Sequence, residues 1–226
     1  AAASGLSEGN AFIGYSGFFL AGEAGADDTA MNWIFQMVFA GTAATIVAGA
    51  VAERTRINAY LAYSFILGAI IYPIYGHWVW GGGWLSSLSL GAGAADFAGS
   101  GVVHTVGGTV ALAGAIVVGP RIGKFNSDGT SNELRGHNIP YVLLGTFILF
   151  FGWFGFNAGS TLAGTDLRIA TIATNTLLAG AAGAVVAMYV QMARTSMADL
   201  PISCNGALAG LVGITAPCAY VSPWAA

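Results

Sequence analysis

The chain has 226 residues, of which 56% are hydrophobic and only 8% are charged, with a formal net charge of −3 and a mean hydropathy of +0.71. Soluble domains are about 25% charged, so the composition excludes a soluble domain and indicates a membrane protein. Seven Lys and Arg residues leave no basic surface along which a nucleic acid could bind, so nucleic acid is excluded as a partner.

The opening segment, residues 1–30, differs from the rest of the chain because it holds six Gly and four acidic side chains. It is expected to be the end of a preceding element followed by an extracellular loop. The chain begins with Ala1 and shows no signal-peptide pattern, which indicates a fragment of a longer protein.

Apolar stretches of about 20 residues follow, which is the length that a helix needs to cross the hydrocarbon core of a bilayer. Strands of a membrane barrel would be alternating segments of about ten residues, and these runs are too long and uniform. The sequence therefore predicts an all-α fold, a polytopic bundle of membrane helices. Six spans are predicted, at residues 31–52, 57–76, 97–119, 139–164, 169–193 and 201–221.

The basic residues predict the orientation of these spans. If the spans alternate in direction, the links on one side contain six of the seven Lys and Arg residues, and the other side contains only Arg168. Cytoplasmic loops carry the excess of positive charge. Links 53–56, 120–138 and 194–200 are therefore predicted to be cytoplasmic, while the opening segment and the Trp-rich loop 77–95 face outward.

The two cysteines give no sign of a disulfide or a metal site. Cys204 and Cys218 lie in one apolar stretch, roughly 21 Å apart along a helix, which is too far for a disulfide. No zinc-type spacing occurs, and no pair of nucleophile and base stands out. Neither a metal, a cofactor nor an enzymatic activity is predicted.

Two ionisable residues stand out near the third predicted span, because such groups are costly at membrane depth and often mark a pathway. His104 lies roughly 11 Å below the outer end of the span, where it is either a pore residue or a hydrogen-bonded packing residue. Asp96 precedes the span, and its carboxylate is expected to cap the helix N-terminus. A fixed anion there would also attract a cation from outside, so both roles stay open.

Three aromatic residues also have two interpretations each. Phe39 and Phe156 both fall about 12 Å below the outer end of their helices, so they form either a hydrophobic constriction or ordinary packed or lipid-facing rings. Trp80 sits where the second span reaches the outer face, as either an interfacial anchor or a cation–π site worth roughly 0.5–2 kcal/mol.

Several short segments carry a family likeness, and they follow one another in a fixed order. They are Gly9–Gly14, Phe35-Gln36 with Phe39, Ala52–Arg54, Val79–Gly83, Asp96–Gly99 with Val102–His104, Gly152–Ser160 and Asn205–Val212. Together they resemble the signature elements of ammonium transporters of the Amt/Mep/Rh family, and the likeness covers essentially all 226 residues.

The resemblance implies a fold of eleven spanning helices built on an inverted repeat, of which the six spans would be helices three to eight. Residues 1–226 would then be one incomplete transmembrane domain. The family's members assemble as homotrimers with one pore in each subunit.

The resemblance also assigns roles to the candidate site residues. Trp80, Phe39 and Ser160 match an outer site that recruits ammonium, and Phe39 and Phe156 match a stacked gate beneath it. Asp96 matches an acidic residue that is essential for conduction.

His104 matches the first of two pore histidines, and the second would lie beyond Ala226. The implied function is transport across the plasma membrane with the N-terminal segment outside. Ammonium is recruited, loses its proton, and passes as ammonia, with or without the proton, through a hydrophobic pore.

The expected partners are ammonium or ammonia, methylammonium as an analogue, membrane lipid, further copies of the chain and, on the cytoplasmic face, a PII-type regulatory protein. The alternative function is an ammonium sensor module coupled to a cytoplasmic signalling domain outside this chain. A water or polyol channel is disfavoured because no Asn-Pro-Ala pair occurs.

Overall fold

Helices account for most of the residues that the computed structural model describes, which are 8–20 and 27–226, without the side chains of Asp27 and Asp28. Within these residues there is no strand, only two isolated bridges, and the all-α prediction is confirmed. The helices are α1 (Asp27–Val51), α2 (Ile57–Trp80), α3 (Ser100–Val118), α4 (Ile139–Ala158), α5 (Arg168–Thr195) and α6 (Leu200–Thr215). Short 3-10 turns lie at Phe18–Leu20 and Gly159–Thr161.

Five of these helices, α1 to α5, are long and apolar enough to cross a membrane. The sixth, α6, has 16 residues, so the sixth predicted span stays a prediction. The predicted extracellular loop at residues 1–30 is described only in part, because residues 1–7 and 21–26 lie outside the described chain.

Three helix boundaries differ from the prediction near the candidate site. Helix α4 ends at Ala158 and is followed by the 3-10 turn Gly159–Thr161, whereas the predicted span ran to residue 164. Helix α2 continues to Trp80, so the first four residues of the predicted loop 77–95 are helical, and the helix ends where Gly82 adopts a left-handed φ of 77°. Helix α3 begins at Ser100, three residues after the predicted start, because residues 97–99 form a loop around the side chain of Asp96.

A proline explains an irregular turn in α2. Residues Leu67–Ile71 form a π-helical turn, and Pro73 follows two residues later. Proline has no N–H and its ring clashes with the carbonyl four residues earlier, so the helix accommodates it by widening the turn. Helix α3 also begins with a π-helical turn, Ser100–Thr105.

The described chain divides into two compact units between residues 134 and 135. The first unit contains α1, α2 and α3, and α1 packs along α3. Arg54 donates to the carbonyl oxygens of Ala50 and Gly119, and Arg121 forms an ion pair of 2.7 Å with Glu53. The C-terminal ends of α1 and α3 therefore lie side by side, as helices running in the same direction require.

The opposite end of this unit joins two segments that were predicted to face outward. The N–H of Trp84 donates to the carbonyl of Ala11 at 2.8 Å, and the indole N–H of Trp78 donates to the carbonyl of Phe12 at 2.8 Å. These segments lie at one end of the unit, and the side of the membrane that they face stays a prediction.

The second unit contains α4, α5 and α6, which all contact one another. Helices α5 and α6 approach closely at glycines: a Cβ on Gly206 would overlap the carbonyl group of Gly183 and the side chain of Ala187. Small residues let membrane helices come this near, which is how the many glycines of the chain contribute to packing.

Candidate functional site

The carboxylate of Asp96 holds the start of α3. One oxygen accepts hydrogen bonds from the N–H groups of Gly99 and Ser100, at 2.7 and 3.0 Å. The other accepts from Gly101 and Val102, at 2.7 and 2.9 Å. The first four N–H groups of a helix have no acceptor within the helix. The carboxylate of Asp96 supplies an acceptor for each of them. The carboxylate of Asp96 thus caps the start of α3 from three residues before Gly99, which occupies the N-cap position.

Gly99 makes this loop possible. Its φ is 110°, a left-handed conformation that favours glycine, and a Cβ there would lie 2.6 Å from Cγ2 of Val103. The same Cβ would lie 3.4 Å from the indole ring of Trp80, so the loop runs directly beside that ring.

Trp80 and Phe39 form an aromatic pair next to the loop. The indole N–H of Trp80 donates to the main-chain carbonyl of Asp96 at 2.6 Å, which ties the last residue of α2 to the loop before α3. The ring of Phe39 is 2% exposed and meets the Trp80 ring edge-on, with centroids 6.2 Å apart and planes at 71°. Phe35, one turn earlier on α1, packs against Phe39 with ring centroids 4.6 Å apart and planes tilted by 37°.

His104 connects to the same loop from inside α3. Its Nδ1 lies 3.1 Å from the carbonyl oxygen of Gly99. A carbonyl oxygen can only accept, so Nδ1 carries the proton in this contact, and in a neutral imidazole the lone pair is then on Nε2. The ring of His104 is thus oriented by the loop that Asp96 organises.

In the second unit, Phe156 and Ser160 are adjacent at the end of α4. The hydroxyl of Ser160 donates to the carbonyl of Phe156 at 2.7 Å, which leaves the lone pairs of the hydroxyl oxygen to accept from a donor. The Phe156 ring packs against Trp153, with centroids 5.8 Å apart.

An ion pair joins the link before α5 to the first residue of that helix. Arg168 donates to Asp166 at 2.7 Å, and these hydrogen bonds hold the pKa of Asp166 below its ordinary value. Arg168 is the one basic residue predicted to lie outside, and its charge is paired at this position.

The structure therefore joins four of the six predicted site residues in the first unit: Phe39, Trp80, Asp96 and His104 follow one another through direct contacts or through Gly99. Phe156 and Ser160 are joined in the second unit. The pairing of Phe156 and Ser160 with Phe39 and Trp80 stays a prediction.

Sequence reasoning missed two polar contacts near these residues. The hydroxyl of Tyr72 on α2 donates to Oε1 of Gln36 on α1 at 2.9 Å. Asn157, next to Phe156 and fully buried, donates to Thr176 at 3.0 Å, and its Oδ1 has no hydrogen-bond partner among the described residues. The available signal was a polar side chain inside an apolar helix, the criterion that selected His104.

Within residues 8–20 and 27–226, no group of three His, Cys, Asp or Glu side chains could hold a metal ion. Five long apolar helices, with polar side chains gathered at a helix start and at an aromatic pair, define a polytopic helical membrane protein. The sequence matches the Ammonium Transporter Family over residues 2–226. The chain belongs to this family, as its motifs predicted, and the family is one of transporters rather than of enzymes.

Similar proteins support the assignment. The ammonium transporter Amt2 of Archaeoglobus fulgidus is 57% identical over 217 residues, covering 93% of this chain and 46% of that protein. A solved structure titled Sensor Amt Protein has a TM-score of 0.89 and 43% identity, covering 98% of this chain and 56% of that one.

The crystal structure of Candida albicans Mep2 has a TM-score of 0.84 and 36% identity, covering 96% of this chain and 48% of that one. This chain thus spans about half the length of the relatives that it matches.

Proposed function

We propose that this chain forms the outer recruitment site and part of the pore of an ammonium transporter. One observation carries the proposal: a cation-attracting indole, a buried phenyl ring and a fixed carboxylate lie in one chain of contacts, Phe39–Trp80–Asp96, in a member of the ammonium transporter family. The transported species is ammonium or ammonia, and methylammonium serves as its analogue.

Recruitment follows from the chemistry of these groups. The face of an indole attracts a small cation by roughly 0.5–2 kcal/mol, depending on desolvation. The hydrogen bond from Trp80 to the Asp96 carbonyl holds the ring in place, so the ring needs no reorientation when the ion arrives. The carboxylate of Asp96 adds a fixed negative field, and the hydroxyl oxygen of Ser160 accepts an N–H of the ion.

The gate separates ammonium from ions of similar size. In this proposal Phe39 and Phe156 close the pore beneath the recruitment site, and an intact charge crossing such an apolar constriction costs several kcal/mol. Ammonium can avoid the cost by giving up a proton, whereas potassium cannot. The gate therefore selects for a cation that can become neutral.

His104 serves the neutral species below the gate. With the proton on Nδ1 directed at the Gly99 carbonyl, Nε2 of a neutral ring offers a lone pair to an N–H of ammonia. In a carrier that moves the proton as well, the same ring is part of the proton relay.

The assembly and setting belong to the same proposal. The chain is part of a homotrimer in the plasma membrane, in contact with lipid, with one pore in each subunit and the N-terminal segment outside. The links 53–56, 120–138 and 194–200 face the cytoplasm, where a PII-type regulatory protein is the candidate partner.

An ammonium sensor is the second candidate, and the similarity to the Sensor Amt Protein favours it. The two functions differ in the full-length protein: a signalling domain after the membrane region favours sensing, and a short tail favours transport. A sensor also binds ammonium without sustained flux.

The test is methylammonium uptake into proteoliposomes that contain the full-length protein, with simultaneous current recording. We expect His104→Ala and Phe156→Ala to change flux or selectivity while the trimer remains intact, because both residues line the pathway. Phe151→Ala is the matched control, since this ring lies on α4 five residues before Phe156 and is 81% exposed. Unchanged flux and selectivity in both pore variants would remove these residues from the pathway. Binding without uptake in the parent protein would favour the sensor.

A further inference from the structure

One hydrogen bond joins the two helices that carry the outer aromatic pair. The hydroxyl of Tyr72 on α2 donates to Oε1 of Gln36 on α1 at 2.9 Å, and the Tyr72 side chain is only 2% exposed. No motif used in the assignment of the family contains Tyr72, and the proposed mechanism does not use its hydroxyl.

The positions of the two partners connect this bond to Phe39 and Trp80. Gln36 lies on α1 between Phe35 and Phe39, and Tyr72 lies on α2 eight residues before Trp80. The bond therefore joins the same two helices, α1 and α2, that bring the rings of Phe39 and Trp80 together.

The local backbone explains why α2 needs such a bond. The π-helical turn Leu67–Ile71 ends immediately before Tyr72, and each such turn contains an extra residue, which changes the direction of the side chains that follow. The first polar side-chain contact after this turn is the bond from Tyr72 to Gln36. In apolar surroundings water does not replace a lost hydrogen bond. The bond therefore stabilises the relative rotation of α1 and α2 in which it can form.

We propose that Tyr72 and Gln36 are positioning residues for ammonium recruitment. Their hydrogen bond fixes the rotation of α2 against α1, and this rotation sets the edge-on contact between Phe39 and Trp80, with centroids 6.2 Å apart and planes at 71°. The inference rests on the proposed function, because its consequence is the affinity of the outer site for the cation.

The experiment measures methylammonium uptake against concentration in proteoliposomes with full-length Tyr72→Phe, Gln36→Met and the double variant. We expect Tyr72→Phe to raise KM by up to about five-fold, the limit if the whole free energy of one hydrogen bond is lost from cation binding, while the maximal rate per trimer changes less than about two-fold. The double variant should have the KM of the single variants, because both substitutions remove one bond.

The matched control is Tyr63→Phe, which removes the same hydroxyl from the same helix before the π-helical turn, where the ring packs against Tyr60 of its own helix at 5.2 Å. This variant should keep the KM of the parent. An unchanged KM in Tyr72→Phe would overturn the inference, and so would effects of the two substitutions that multiply in the double variant. A fall in maximal rate or trimer yield with an unchanged KM would show a general structural role and would also overturn it.

Trp80→Ala separates this inference from the proposed function. If Trp80→Ala has the KM of the parent, both the proposed outer recruitment site and the positioning role of Tyr72 and Gln36 are overturned. If Trp80→Ala raises KM while Tyr72→Phe does not, the outer site stands and only the positioning role is overturned.

Discussion

The two units of this chain use polar side chains in different ways. In the first unit, the polar groups of Asp96, Trp80 and His104 bond to the main chain of one short segment, residues 96–102, which comprises the loop before α3 and the first residues of that helix. In the second unit, buried polar groups join one helix to the next: Trp153 on α4 donates to Thr215 on α6 at 2.7 Å, and Asn157 on α4 donates to Thr176 on α5 at 3.0 Å.

This difference indicates which residues of such a membrane domain support transport and which support its stability. A helix start offers unpaired N–H groups, so a carboxylate can be held there and still present charge toward an outer site. Buried bonds between helices satisfy their groups inside the bundle and replace the hydrophobic driving force that lipid does not provide. Substitution of Asp96 at the helix start in the first unit should therefore affect flux, and substitution of the groups that join helices in the second unit should affect stability.

The largest expected effect is on flux, in the variant Asp96→Asn. An amide has one oxygen, so it accepts from only two of the four N–H groups and lacks the charge. It should still cap the start of α3 in part, yet uptake should fall by about ten-fold or more, because the cation loses a nearby anion. The measurement is methylammonium uptake per folded trimer.

The control for this variant is Asp128→Asn, which changes an exposed turn where the carboxylate accepts from the N–H of Thr130 at 2.9 Å. It should conduct as the parent does. Full conduction by Asp96→Asn would confine Asp96 to its structural role and would remove the distinction between the two units.

The second prediction concerns stability, in the variant Gly206→Ala. The added Cβ would meet the backbone of Gly183, so α5 and α6 must separate, and the free energy of unfolding should fall by about 1–3 kcal/mol. Thermal unfolding in detergent measures this change. Gly213→Ala on the same helix is the control, because a Cβ there has no atom within 4 Å. Equal unfolding midpoints for both variants would contradict the close packing.

The smallest effect is expected for Thr215→Val in the second unit. The substitution keeps the shape of the side chain but removes the acceptor for Trp153, which should lower the free energy of unfolding by about 1 kcal/mol. Uptake per folded trimer should not change. Thr174→Val is the control, because that exposed hydroxyl donates only within its own helix, to Ala170 at 2.9 Å. Reduced uptake with normal stability would show that polar bonds in this unit also serve transport.

Much of the fold followed from the sequence because the bilayer imposes a simple requirement. Apolar runs long enough to cross it must satisfy their backbone hydrogen bonds within each run, so they form helices. The end of α2 was predicted too early, at residue 76, whereas the helix continues through Gly76 to Trp80, and glycine within a membrane helix is well tolerated. The start of α3 was predicted too early because the loop around Asp96 has the composition of a helix start.

The candidate site was found where a polar or aromatic residue interrupts an apolar pattern or repeats a family motif. His104, Asp96 and Trp80 met this criterion. Gln36 lies in the Phe35-Gln36 motif but received no role, and Tyr72 was not selected, because a tyrosine and a glutamine in a span have no assigned meaning until a structure shows them paired.

The amino-acid sequence by itself determined the class of this protein, five of its long apolar helices and the family, and it offered helix capping as one of two roles for Asp96, because these depend on local chemistry and on the length of apolar segments. Only the tertiary structure decided that the Trp80 indole bonds to the Asp96 carbonyl, that Gly99 orients His104, and that Tyr72 meets Gln36. Such contacts depend on the rotation of one helix against another, and side-chain packing after an irregular turn sets that rotation.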